Sequence, residues 1–528
     1  NTIHLHSEYL GAAVLFLAIA AIGAKGYRGF RRFWLGTFIV AVLWSLGGNT
    51  PFFRLVYAIV PGTTQFRAPS TIFFVYAFAV AVFAAFGVRR LLSARMSPRY
   101  LIAWVGGAAA VAVLMMIGGA KALARPVARA VISRMTGENP DQYIDGFIQQ
   151  NVEPHLSSVV AGGWRSFFFV AVAAALAWSI NNRRLRPSVA GWALAGVVAL
   201  DLWSIERMYW KFSAPASEIF ASDPAIDLIK QASQPGRVVA ISGNDLFERP
   251  AQFGAAYRDP LFDGSGFMAH QVRDLTGYHG NELHRYQQIF GASAGRGYSP
   301  GRLLDPGVWR HENVQYLYTT LPDTIMPMLQ VQLKLPGAFT KLVGPVRDAS
   351  GSTVYLYRVP GENPFAWVAS GAVRASDDQA MPTVSDIRFN PAVAALVDTG
   401  SEIPLKDPAQ LLPSTTTARA KSYAPGKVSI ELSAPATEGQ VLVVSENFYP
   451  GWTATSGSTS LPTSRANYNL IGVGLKAGTQ QVDLTFADPA YTTGKMITLL
   501  ALLVATLLLI AGVVIDRRRP SPPVAGTA

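Results

Sequence analysis

Hydrophobic and polar positions divide the chain into two regimes. Up to about residue 210, long apolar runs alternate with short basic segments; beyond it, short alternating runs are separated by turn residues. Seven runs, at 9–24, 33–49, 70–88, 101–120, 158–180, 188–206 and 494–515, are compatible with the roughly 20 residues that cross a bilayer. Between the second and third lies NTPFFRLVYAIVPGTTQFRAP (49–69), too polar to span and too aromatic for an ordinary loop. Pro51, Pro61, Gly62 and Pro69 set sharp turns in it, and Phe52, Phe53, Leu55, Val56 and Tyr57 give it an apolar side. Such a segment is expected at the membrane interface, where Arg54 and Arg67 would meet lipid phosphate. The plainer alternative is a packed re-entrant connector with snorkelling arginines.

From about 211 the pattern is that of a folded polar domain. PAIDLIKQA (224–232) reads as a short helix, RVVAIS (237–242) and VQYLYTT (314–320) as strands, and 341–358 as a hairpin turning at DASGS. Residues 211–410 are therefore expected to form an α/β domain, and LLPSTTT (411–417) a linker. The alternating runs within 415–492 predict a small β-sandwich. The fold expected is a polytopic α-helical membrane protein of about seven spans, with an extracytoplasmic α/β domain and a small β-sandwich. It would have transmembrane helices within 1–210, interfacial loops at 49–69 and 121–157, a last span at 494–515 and a cytoplasmic tail at 516–528.

Composition agrees with a membrane protein. Half of the 528 residues are hydrophobic and only 15% are charged, against roughly 25% in soluble domains. The net charge of +12 first suggests a nucleic-acid partner. Its location excludes that reading: KGYRGFRR (25–32), RRLLSARMSPR (89–99), NNRRLRP (181–187) and DRRR (516–519) are almost purely basic, and the remainder is close to neutral. If each run crosses once, all four segments fall on one side, which the positive-inside rule makes cytoplasmic. The expected location is the bacterial cytoplasmic (inner) membrane, with 49–69, 121–157 and 207–493 outside. Lys121, Arg125, Arg129 and Arg134 disagree with the rule; at their spacing they share a helix face suited to anionic headgroups or to an anionic substrate. Asp201 and Glu206 sit near the outer end of the sixth run, where an acid is tolerable without a buried role.

Candidate chemistry is sparse. The chain has no cysteine, no phosphate-binding Gly-Lys-Ser/Thr loop, no HExxH and no GxSxG. A chemistry on the outer face must then draw on energy stored in its donor, and a lipid-phosphate-linked sugar supplies it. His4, His6 and Glu8 precede the first run; they are weak as a metal site, and Glu8 is better placed as an interfacial general base. No cofactor is required by these residues, although a divalent cation is compatible with them. GYHGNELHRYQ (277–287) concentrates His279, Asn281, Glu282, His284, Arg285 and Tyr286, suited to a sugar or to an internal hydrogen-bond network. In NFYPGWTA (447–454), Tyr449 and Trp452 flank a Pro-Gly turn, either as a stacking platform for sugars or as corner packing.

NTPFFRLVYAIVPGTTQFRAPS, LTGYHGNELHRY, NVQYLYTT, ENFYPGWTA and RANYNLIGVGLKAGTQQVDLTF, in that order, resemble the YfhO-like family of bacterial polytopic membrane proteins. The resemblance implies a GT-C-type glycosyltransferase that uses polyprenyl-phosphate sugars outside the cytoplasmic membrane, with teichoic-acid-like acceptors among its relatives. Such enzymes carry their catalytic acid between their first two spans, a region expected to precede Asn1, so no catalytic acid is assigned beyond Glu8 as a candidate. Arg67, with Arg54, would hold the departing phosphate. The partners expected are a polyprenyl-phosphate-linked sugar, a cell-envelope glycan or lipid acceptor and membrane lipids. A non-enzymatic envelope protein that binds glycan is the alternative. A lipid-glycan transporter is a third reading, weakened because no acid or base stands out deep in a span.

Overall fold

The structure is a computed structural model. It describes residues 8–24, 26–63, 68–93, 95–136, 141–246, 253–277, 283–291, 298–335 and 337–518. The chain divides into two compact units, Asn1–Ser213 and Ala214–Ala528.

The first unit is helical: α1 (Ala12–Ala20), α2 (Arg28–Ser45), α3 (Pro51–Ile59), α4 (Phe73–Ser93), α5 (Pro98–Leu114), α6 (Ala120–Thr136), α7 (Asp141–Asn151), α8 (Leu156–Asn181) and α9 (Pro187–Glu206). Among the described residues of the whole chain, five helical stretches are long and apolar enough to cross a membrane: Pro69–Ser93, Pro98–Ala130, Tyr143–Asn181, Pro187–Tyr209 and Pro489–Ile515. Two of the seven expected spans therefore fall short. α2 carries Arg28, Arg31 and Arg32 in its first turns. α1 has nine residues, about 14 Å at 1.5 Å per residue, against roughly 30 Å of hydrocarbon. Its ends explain its length. The Asp201 carboxylate from α9 accepts from Ala13 N at 2.8 Å, and Arg90 and Arg31 donate to the carbonyls of Ala20 and Ala21 at 2.8 and 3.0 Å. An acid at the N-terminus and guanidinium groups at the C-terminus satisfy orphan backbone groups and complement the helix dipole.

Small residues let these helices approach. A Cβ at Gly87 of α4 would lie 1.8 Å from Leu17 O of α1, so the two backbones touch. Gly163 of α8 faces Ala112 of α5 in the same way, at 3.2 Å. Ala13, Phe16, Leu17, Leu91, Ala173 and Leu194 form the core of this bundle. α5 and α6 are joined by a kink at Met115–Gly119, where Gly118 takes φ 98°. The expected loop at 121–157 instead folds as α6 and α7, closed over Ala128, Ile132, Ile144 and Ile148. Lys121 pairs with Glu153 at 2.6 Å and Arg125 with Asp145 at 2.8 Å. These exposed pairs orient the hairpin and add little stability.

The described residues of the second unit form three sheets. Its first five strands are β1 (Arg237–Ile241), β2 (Arg273–Asp274), β3 (Val314–Thr319), β4 (Thr340–Arg347) and β5 (Thr353–Arg358). They form a mixed sheet in the order β2-β1-β3-β5-β4, with β2, β1 and β3 parallel and β3, β5 and β4 antiparallel. Apolar clusters cover it on both faces, one around Trp309 and Leu317, the other around Phe267 and Tyr318. The strands expected at 237–242 and 314–320 and the hairpin at 341–358 all lie in it.

The remaining strands are β6 (Ala366–Ala369), β7 (Gly371–Arg374), β8 (Ala394–Val397), β9 (Ala418–Ala424), β10 (Lys427–Leu432), β11 (Val441–Asn447), β12 (Trp452–Ser456), β13 (Thr459–Leu461), β14 (Thr463–Ala466), β15 (Leu470–Gly474) and β16 (Gln481–Phe486). They make a six-stranded sheet, β6-β11-β15-β14-β8-β7, and a five-stranded sheet, β13-β12-β16-β10-β9. Val368, Leu442, Val444 and Ile471 of one pack with Val428, Ile430, Val482 and Leu484 of the other in a common core. The six-stranded sheet takes β6, β7 and β8 from before residue 410, so this layer does not begin at the linker expected at 411–417. Pairing decides this: Ala366–Ala369 ladders onto Val441–Val444, far along the chain. The last helix, Pro489–Arg518, has the most apolar composition of the five candidate spans, and its candidate window buries nothing.

Candidate functional site

At the N-terminal end of α1 the chain assembles polar groups beside an apolar groove. Asp201 is fully buried, and besides Ala13 N it accepts from the Tyr9 hydroxyl at 2.6 Å. Tyr9 in turn accepts from Ala12 N at 3.0 Å. Gly11 precedes the helix with φ 90°, a conformation that favours glycine and turns the chain from Tyr9 into α1. The Arg165 guanidinium of α8 lies over the Tyr9 ring, 4.8 Å from its centre. Its Nε is buried and has no hydrogen-bond partner among the described residues.

The groove beside this cluster has a volume of about 810 Å³ and lies between α1, α5 and α8. Glu8 and Tyr9 stand at one part of its wall; Leu15, Trp104, Val111 and Val170 supply apolar surface. Gly107 and Gly162 line it with open space where a side chain would project. A long apolar trough with one carboxylate and one incompletely paired guanidinium beside it suits an amphiphile: a hydrocarbon chain along the walls and an anionic head near Arg165.

Sequence reasoning treated Asp201 as an interfacial acid with no buried role and found no base deep in a span. The structure corrects both. Asp201 is wholly buried because it caps a helix 188 residues away in sequence, and Arg165 lies well inside α8. The signal for Arg165 was legible: it is the lone charge in GGWRSFFF.

The other expected site residues are dispersed. His4, His6, Arg67, His279, Asn281 and Glu282 lie outside the described residues. Glu8 lines the groove, whereas Arg54 is exposed on α3 and does not. Arg285 donates to Asp377 at 2.7 Å. Tyr286 is not free for a sugar hydroxyl: its OH donates to Leu275 O at 2.7 Å, its ring packs on Phe290, and burial raises its pKa well above the usual tyrosine value. Tyr449 remains 45% exposed, with its ring 6.2 Å from Phe486. Trp452 is half-buried, 5.4 Å from the same Phe486, and packs against the core shared by the two sheets. Among the described residues, no group of three histidine or acidic side chains is placed to hold a metal ion.

The second unit holds a charged cluster that the sequence did not announce. Arg237 donates to Glu312 O at 2.6 Å and to Ser445 Oγ at 3.0 Å, and pairs with the Glu312 carboxylate at 3.2 Å. Asn469 donates to Glu312 Oε1 and Asn447 Oδ1, and accepts from His311 Nε2 when that nitrogen carries the proton. Arg273 donates to Asn313 and Ser445 O and pairs with Glu446. HEN (311–313), SEN (445–447) and NYN (467–469) thus meet in one buried junction between the mixed sheet and the six-stranded sheet. Burial pulls the Arg237 pKa down, but Glu312 and its other anionic neighbours carry it above the usual arginine value. Burial lowers His311 and keeps it neutral, and lowers Arg273 with help from Arg237. Asp274, at the end of β2, is pushed up to about 7 by burial, only partly offset by its bonds from Thr276.

No protein-family model matches the chain, and no curated protein is significantly similar to it. Among solved structures it is similar to cryo-EM structures of the arabinofuranosyltransferase AftD from Mycobacteria. A mutant form is 16% identical with TM-score 0.23, covering 91% of this chain and 49% of that one. The unmutated protein is 15% identical with TM-score 0.22, covering 91% and 48%. The chain spans about half the length of these structures. A likeness this loose carries no argument, and the functional reading rests on the groove.

Proposed function

We propose that the chain is part of a GT-C-type membrane glycosyltransferase that moves a sugar from a polyprenyl-phosphate donor to an extracytoplasmic cell-envelope polymer or lipid. The observation that supports this reading is the apolar groove with Glu8 and Arg165 beside it. The polyprenyl chain lies along α5 and α8, and its phosphate meets Arg165, with Arg67 of the 49–69 segment as a further phosphate ligand. Glu8 takes the proton from an acceptor hydroxyl. The acceptor oxygen bonds to the anomeric carbon from the face opposite the phosphate. The bond from that carbon to the phosphate oxygen breaks, and the lipid phosphate leaves with its gained charge stabilised by guanidinium. The acceptor is teichoic-acid-like if the family resemblance holds.

The test is sugar transfer from a polyprenyl-phosphate donor by the full gene product in lipid nanodiscs. Glu8→Gln is expected to lower turnover by about 10²-fold or more. Arg165→Lys, which keeps the charge but loses the paired donors, is expected to lower it by about tenfold, roughly 1.4 kcal/mol. Normal transfer by both variants would remove the groove from the mechanism.

A further inference from the structure

Two clefts of the second unit adjoin each other across one turn. The first, about 380 Å³, is lined by Lys230, His270, Arg273 and Lys421; the second, about 670 Å³, by Gln315, Arg358 and Arg419. Ala232, Ser233, Gln234, Pro235 and Tyr316 belong to both. The turn between them is fixed by a side-chain clip onto β9: Gln234 donates to Ala420 O at 3.0 Å and accepts from Ala420 N at 2.9 Å. Arg358 is held above the Tyr316 ring, 5.2 Å from its centre.

Among the described residues no carboxylate lines either cleft, although five lysine or arginine side chains do; Arg273 pairs with Glu446 and Arg419 with Glu431, which leaves Lys230, Lys421 and Arg358 without an acid partner. The acids close to His270 have other partners: Asp223 accepts from Ala225 N, Ile226 N and the Tyr318 hydroxyl, and Asp227 from Ser222. His270 is only 8% exposed, and its Nε2 has no hydrogen-bond partner among the described residues. About half of the other lining residues carry amides or hydroxyls, Gln231, Ser233, Gln271 and Gln315 among them. Both volumes lie within the roughly 300–1,000 Å³ of small-molecule sites. Lys230, Lys421 and Arg358, cations with no paired acid among the described residues, call for oxyanions; amides and hydroxyls call for a hydroxylated ligand. The charged side chains on these walls do not suit a hydrocarbon chain.

We propose that these two clefts form one binding site for an anionic saccharide, a short glycan segment bearing carboxylate or phosphate groups. The segment crosses the 232–235 turn with an oxyanion in each cleft, one held by Lys230 and Lys421, the other by Arg358. This deepens the glycosyl-transfer reading by naming the acceptor's charge and the surface that holds it, and it rests on that reading only for the purpose of binding.

The test is calorimetric titration of the full chain in nanodiscs of zwitterionic lipid. The probes are a galacturonic acid hexamer, a glycerol-phosphate oligomer and the neutral maltohexaose. At least one anionic probe is expected to bind about tenfold or more tighter than the neutral one. In Lys230→Gln/Lys421→Gln/Arg358→Gln that binding is expected to weaken about fivefold or more while thermal melting is unchanged. Which anionic probe binds identifies the oxyanion. Arg165→Lys is expected to leave this binding intact, so a failed transfer assay and a failed binding assay are separate results. Equal binding of neutral and anionic probes, undiminished binding by the triple variant, or complete displacement by phosphatidylglycerol vesicles would overturn the proposal.

Discussion

Arg237 is buried and Arg165 is half-buried, and the molecule treats these two arginines in opposite ways. Arg237 is enclosed by Glu312, Ser445 and a backbone carbonyl; Glu312 accepts from Asn469 through Oε1 and faces Arg237 at 3.2 Å with Oε2, which makes no hydrogen bond among the described residues. Arg165 rests on one tyrosine ring with its Nε unbonded among the described residues, near the wall of an apolar groove. A buried charge costs several kcal/mol unless it is paired. Where the pairing closes on itself, the charge is architecture, joining two sheets in one orientation. Where it stays open beside a cavity, a partner for it is what the proposed lipid phosphate would supply. The same contrast separates Asp201, whose oxygens are taken by Tyr9 and Ala13, from Glu8 at the groove wall.

The comparison breaks most directly at Glu312. Glu312→Ala leaves Arg237 buried with one distant acid, Glu446 at 3.9 Å, and is expected to destabilise the second unit by about 3–5 kcal/mol in chemical denaturation. A loss below about 1 kcal/mol would mean that the junction is not an integral structural pair. Asp201→Ala is the corresponding change in the first unit. It orphans the Tyr9 hydroxyl and Ala13 N, at about 1–3 kcal/mol for each group, and is expected to lower the thermal stability of the nanodisc-embedded chain.

Asp274 sharpens the picture of the second unit through pH. Its folded pKa of about 7 lies above its ordinary value of 3.8, so the folded state holds the proton more tightly. Its contribution is fully present below pH about 4 and is lost as pH rises to about 7, with a slope of up to about 1.4 kcal/mol per pH unit. Asp274→Asn is expected to flatten stability against pH in that window, and an unchanged profile would place the titration elsewhere. Trp452→Ala should show the smallest effect on stability, about 2 kcal/mol, because the ring is only half-buried against Phe486. Unchanged melting with weakened glycan binding would instead make Tyr449 and Trp452 a sugar platform.

What could be read from the sequence was what depends on short windows. Apolar runs marked the five candidate spans, and alternation marked β1, β3, β4 and β5. Long-range pairing was not legible. Hydropathy offered a span at 9–24 because the groups that end α1, Asp201, Arg31 and Arg90, come from three other helices. Composition placed a linker at 411–417, while β6, β7 and β8 join strands beyond it through backbone ladders that no window reveals. In the site, Glu8 was legible as a carboxylate beside an apolar run. Asp201 was misjudged because its position near a helix end says nothing of what docks there. The motifs HEN, SEN and NYN were visible as polar tripeptides, but their meeting in one junction is a property of the fold.

The central claim is that the groove between α1, α5 and α8 holds a lipid phosphate. It is tested most directly by placing a photoreactive phenylalanine at Val111, which lines the groove, or at Ile102, which is exposed on the same helix and does not line it. After irradiation with polyprenyl phosphate in nanodiscs, mass spectrometry should find the lipid adduct at 111 and little or none at 102. It should also be reduced by Arg165→Ala. Equal labelling at the two positions, or labelling indifferent to Arg165, would contradict the account.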